Sequence, residues 1–83
     1  MNKDEIELEG RVRGVIIRVA NLAAEKRAFD PNADLFRDLG IVSTAALDLL
    51  LSLEEEFDLT IPDQQFGDTR TLRGLTELIG TLK

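Results

Sequence analysis

The chain contains no cysteine and no histidine. Without cysteine there is neither a disulfide framework nor a thiolate nucleophile. Without histidine, the usual general base and the commonest metal ligand are both missing. Tryptophan and tyrosine are absent too, which leaves little to stack against nucleic-acid bases. No apolar run approaches the roughly 20 residues that span a bilayer. The opening MNKDEIELEG is acidic and holds no apolar stretch of the signal-peptide kind. These absences lead to the expectation of a cytoplasmic protein with no membrane span.

A base is missing where it matters most. Residues 1–37 balance seven acids against seven bases, whereas residues 38–69 hold eight acids and no base. Residues 70–83 carry a net of +2, so the overall −6 arises entirely in the middle third. A field of that sign repels nucleic acid and attracts basic protein surfaces. The acids' spacing matches no calcium-binding loop, so no metal site is expected.

What is present is a globular chain of 83 residues, 43% hydrophobic, enough for a single domain over 1–83. Val12, Val15, Ile16, Val19, Leu22 and Ala23 recur at spacings of three and four, which predicts a helix over 4–26 despite Gly10 and Gly14. Residues 27–42 read as a long connection with turn chemistry at Asp30-Pro31-Asn32 and anchors at Leu35, Phe36 and Leu39. TAALDLLLSLEEEF, residues 44–57, lacks Gly and Pro and is the clearest helix. Thr60-Ile61 reads as extended. Pro62 fits a first helical position, and PDQQF then makes one turn ended by Gly67. A last helix over 71–82 is capped by Thr69 or Thr71 and carries Leu72, Leu75, Ile79 and Leu82 as its apolar stripe. The fold class is therefore all-α, a small bundle of three main helices and a short fourth.

The second main helix has two apolar faces. On a wheel with Leu47 at zero, Leu49, Leu53, Ala46, Phe57 and Leu50 fall between about 200° and 300°, a core stripe. Leu47 and Leu51 fall roughly opposite, near about 0° and 40°, among Ser43, Glu54, Glu55 and Asp48. An apolar pair in an acidic rim suits a partner with an apolar hollow and a basic border. The plainer alternative buries Leu47 and Leu51 under the 27–42 connection.

Ser43 has three readings. As a helix cap it accepts from a free N–H of the first turn, and Val42 then pairs with Leu47 as a hydrophobic staple. As a nucleophile it lacks any histidine, and Lys3, Lys26 and Lys83 are remote in sequence. As an attachment point it needs only exposure at a helix entrance, where the helix dipole favours a phosphate.

The stretch DLGIVSTAALDLLLSLEEEFDLTIPD, residues 38–63, resembles the central segment of acyl carrier proteins, the small phosphopantetheine-binding domains. That segment typically runs D-L-G-x-D-S-L, then a helix ending in L-E-E-E-F, then an extended I-P-D. Asp38-Leu39-Gly40, Ser43, Leu53-Glu54-Glu55-Glu56-Phe57 and Ile61-Pro62-Asp63 fall at matching spacing.

The resemblance implies a four-helix bundle and a discrete, monomeric carrier with no turnover of its own. It implies 4′-phosphopantetheine attached to Ser43 by a phosphopantetheinyl transferase, and acyl groups held as thioesters on the arm. Enzymes that load and process those groups would dock on Leu47, Asp48, Leu51, Glu54 and Glu55 through basic surfaces. Three positions depart from the pattern. Val42 replaces the usual aspartate, Thr44 the usual leucine, and Ala45 leaves a commonly acidic position neutral. An alternative follows from Val42, a carrier-like interaction module whose serine stays bare.

Overall fold

Asn2 opens the first helix, its side chain accepting the Glu5 N–H at 2.8 Å. The computed structural model describes residues 2–83, and α1 runs Lys3–Ala20. The helix stops six residues short of the predicted end. Asn21 adopts the left-handed conformation (φ 52°, ψ 50°). Its N–H donates to the Arg18 carbonyl, and the Leu22 N–H to that of Ile17 at 3.1 Å. This Schellman arrangement satisfies the last carbonyls and reverses the chain. Leu22 is still buried, by the reversal rather than by the helical stripe, while Ala23 is exposed. Residues 24–26 form a single 3-10 turn, Ala24–Lys26.

The connection after it is fastened to the bundle. The buried Leu35 donates its N–H to the Arg70 carbonyl at 2.8 Å, and the Arg73 N–H reaches the Pro31 carbonyl at 3.0 Å. Arg70 also pairs with Asp34 at 2.8 Å and lies over the Phe36 ring, 4.8 Å from its centroid. Phe36 and Leu39 pack on the core as expected of anchors. At the other end, Arg13 covers Phe29 at 4.4 Å and donates to the carbonyls of Arg27 and Phe29. Arg11 over Phe57 at 4.5 Å makes a third such pair. Roughly one energetically significant pair is usual in 70–80 residues. With no tyrosine or tryptophan available, guanidinium groups supply the polar lids of three half-buried phenylalanines.

The second helix, α2, runs Ser43–Phe57 and ends on another left-handed polar residue, Asp58 (φ 51°). A short α3, Asp63–Gly67, follows Pro62, which stands one position outside the helix rather than at its first residue. Then α4 spans Leu72–Leu82. The Thr71 hydroxyl caps it, accepting the Gly74 N–H at 3.0 Å, while the Thr69 hydroxyl donates to the Gln65 carbonyl. Gly74 leaves room for both threonines, since a Cβ there would lie 2.9 Å from Thr69 Cγ2.

Packing follows the predicted stripes. Helix α1 packs on both α2 and α4. Val12, Val15 and Ile16 meet Leu49, Leu50 and Leu53 of α2 and Leu72, Leu75 and Ile79 of α4 in one core, completed by Leu35, Ile41, Ile61 and Phe66. The architecture is the expected all-α bundle of three main helices and one short one, with no strand among the described residues.

Candidate functional site at the entrance of α2

Local structure fixes where α2 begins. Gly40 takes a positive φ of 73°, which turns the chain. Ile41 then drops into the core, and its N–H donates to the Leu35 carbonyl at 3.2 Å. Val42 is extended (φ −88°, ψ 165°), and its carbonyl accepts the Ala46 N–H at 3.0 Å, the first bond of the helix. Val42 is therefore the N-cap, and Ser43 is the first helical residue.

Two predictions at this point fail. Ser43 does not cap the helix, because it already lies inside it, and no side chain caps α2. The Val42–Leu47 staple does not form either, since the two side chains are 61% and 58% exposed. With the start one residue earlier, the flanking position falls on Ile41 and its fourth-residue partner on Ala46. Both of these pack on the core.

The Ser43 hydroxyl is thus exposed and left free of a capping duty. The first turn of α2 carries no acid. Its leading N–H groups and the positive end of the helix dipole face the same entrance, a setting that accommodates a phosphodiester oxygen.

Beyond the first turn, Leu47 and Leu51 are 58% and 54% exposed. The 27–42 connection does not cover them, so the plainer burial reading is overturned. Asp48 and Glu55 are exposed and make no ion pair among the described residues. Glu54 is different. It is half-buried, and its carboxylate accepts the Ile61 N–H at 2.8 Å, tying α2 to the segment before α3. Glu56 pairs with Arg11 at 3.4 Å and belongs to the α1–α2 contact. Sequence spacing put Glu54 on the rim but could not reveal this backbone bond, which depends on the reversal at Asp58. The residue that sequence reasoning misassigned is Val42, which it paired inward. Its only outward signal is an apolar residue where helix caps are normally polar.

The electrostatics of α2 run against local helix preference. Its last turn holds no base, and glutamates occupy the end where the dipole is negative. Local stability does not ask for Glu55 there. A groove of about 760 Å³ lies elsewhere, between the start of α1 and the end of α4 around Leu8, Thr76 and Gly80. Among the described residues no helix is long and apolar enough to cross a membrane.

Comparison with known proteins covers most of the chain. The family model described as the phosphopantetheine attachment site matches residues 10–79. An acyl carrier protein of Syntrophobacter fumaroxidans (strain DSM 10017 / MPOB) is 32% identical over 73 residues, 88% of this chain and 90% of that relative.

Proposed function

Because this chain belongs to the acyl carrier protein family of phosphopantetheine-attachment domains, we propose that Ser43 bears the 4′-phosphopantetheine arm and that the protein carries acyl groups on it. The single observation behind this reading is the exposed hydroxyl on the first residue of an uncapped helix with no acid in its first turn.

In the loading step the Ser43 oxygen bonds to the phosphorus next to the pantetheine of coenzyme A. The bond from that phosphorus to the bridging oxygen breaks, and adenosine 3′,5′-bisphosphate leaves. The hydroxyl proton passes to a base of the transferase, since this chain has no histidine to take it. The first-turn N–H groups of α2, which no side chain caps, would be the donors available to a phosphodiester on Ser43. When bound, the arm supplies the thiol on which an acyl group is held as a thioester, chemistry that a chain without cysteine cannot supply itself. Leu47 and Leu51 with Asp48 and Glu55 offer loading and processing enzymes an apolar centre and an acidic border. Glu54 belongs to that border through whichever carboxylate oxygen Ile61 leaves free. The chain performs no turnover of its own on this reading.

The test is to incubate the protein with coenzyme A and a panel of phosphopantetheinyl transferases and read its intact mass. The expected result is a gain of one phosphopantetheinyl group. No gain with any of them, under conditions that modify a control carrier, overturns the proposal. It would leave the bare interaction module, which the exposed Val42 favours, as the standing reading.

A further inference from the structure

Val42 is an exposed apolar side chain with no task inside the fold. It is the N-cap of α2, yet valine is among the poorest N-caps because it offers no acceptor to the first-turn amides. It does not pack as a staple, and of the large exposed hydrophobics, Ile6, Val42, Leu47 and Leu51, it is the most exposed, at 61%. It is also bonded directly to Ser43. An enzyme that brings a phosphorus in line with the Ser43 oxygen has to lay its own surface over Val42.

The charge around Val42 indicates what that surface is like. No acid lies in the first turn of α2, and the first acid along the helix is Asp48. Upstream, the Asp38 carboxylate is already engaged, accepting the Asp34 N–H at 2.8 Å. A basic side chain of the partner placed over the α2 entrance would lose water and meet no acid on the first turn of the helix. An apolar hollow there would gain the isopropyl group of Val42. The acids that do attract bases, Asp48 and Glu55, lie further along the helix.

On the reading that Ser43 is the attachment serine, we infer that Val42 is a specificity residue for loading. The transferase that fits this chain meets the α2 entrance with an apolar hollow and confines its basic contacts to the Asp48–Glu55 half of the helix.

The experiment measures kcat/KM for the protein substrate with the transferase of the panel that modifies the wild type fastest. Val42→Ile should retain the rate. Val42→Thr, which keeps the shape but puts a hydroxyl where a methyl was, should lower it about tenfold, equivalent to about 1.4 kcal/mol. Val42→Asp should lower it further. The Val42→Thr loss should be the same at low and high salt, whereas the loss from Glu55→Lys should shrink as salt rises. Thermal melts separate folding from recognition, since Thr and Asp are better caps and should hold or raise the midpoint. A Val42→Thr rate within about twofold of wild type, or a faster Val42→Asp, overturns this inference. In either case wild-type modification would leave the attachment reading intact. No modification of the wild type by any transferase would overturn that reading and this inference with it.

Discussion

Leu51 and Leu53 lie two residues apart on one helix, and the structure assigns them opposite fates. Leu53 is fully buried against α1, while Leu51 is 54% exposed. Leu53→Ala removes side-chain carbons from a close-packed site and leaves a cavity, which costs about 3–5 kcal/mol. A chain of this length has a total stability of only about 4–12 kcal/mol. The loss should lower the melting midpoint by at least roughly 10 °C. Leu51→Ala gives up little burial and gains helix propensity, so its effect should stay within about 0.5 kcal/mol of zero. The two variants are compared by urea titration, with m-values checked for constancy, and by the modification assay. Leu51→Ala should keep its stability and slow partner-dependent steps. Leu53→Ala should lose stability and be modified normally while folded. A cost above about 1.5 kcal/mol for Leu51→Ala would show that something packs on that face and refute the division of α2 into core and docking sides.

Glycine positions give a second contrast. A Cβ at Gly10 or Gly14 meets nothing within 4 Å, so Gly10→Ala and Gly14→Ala should each stabilise α1 by about 0.5–1 kcal/mol. Gly74→Ala should destabilise, because its Cβ would meet Thr69 Cγ2 at 2.9 Å. Melting curves of the three variants check the signs. Acid response tests the fastening of the connection. The hydrogen bond from Arg70, then that from the Arg37 N–H, lowers the Asp34 carboxyl to about 2. A carboxyl lowered in the folded state stabilises it above the unfolded value of about 4, and that stability is lost as pH falls toward 2. Arg70→Ala should flatten the dependence of stability on pH between about 4 and 2, measured by denaturant titration across that window. An unchanged slope would show that the backbone N–H bonds alone set the Asp34 titration.

Helix existence was legible in the sequence because each apolar stripe repeats over several turns, as in Val12-Val15-Ile16 and Leu72-Leu75-Ile79. Ends were harder. The stripe of α1 continues through Leu22, so periodicity carried the helix onward. What stopped it was a left-handed asparagine, a conformation a non-glycine residue takes only when neighbouring carbonyls and packing reward it. The start of α2 was misplaced by one residue for a similar reason. Serine is a good cap and valine a poor one, but burial of Ile41 and the turn at Gly40 set the register instead. That single residue decides whether the Ser43 hydroxyl is spent on the backbone or left free. The exposure of Leu47 and Leu51 was legible from the wheel. The inward tie of Glu54 was not, because its partner Ile61 is reached only through the reversal at Asp58.

The chain contains two serines, Ser43 at the entrance of α2 and Ser52 in its middle, half-buried. Fragmentation mass spectrometry of transferase-treated protein can locate an added phosphopantetheinyl group residue by residue. The account predicts the group on Ser43 and none on Ser43→Ala under identical treatment. A group found on any other residue, or an undiminished gain in Ser43→Ala, would contradict it.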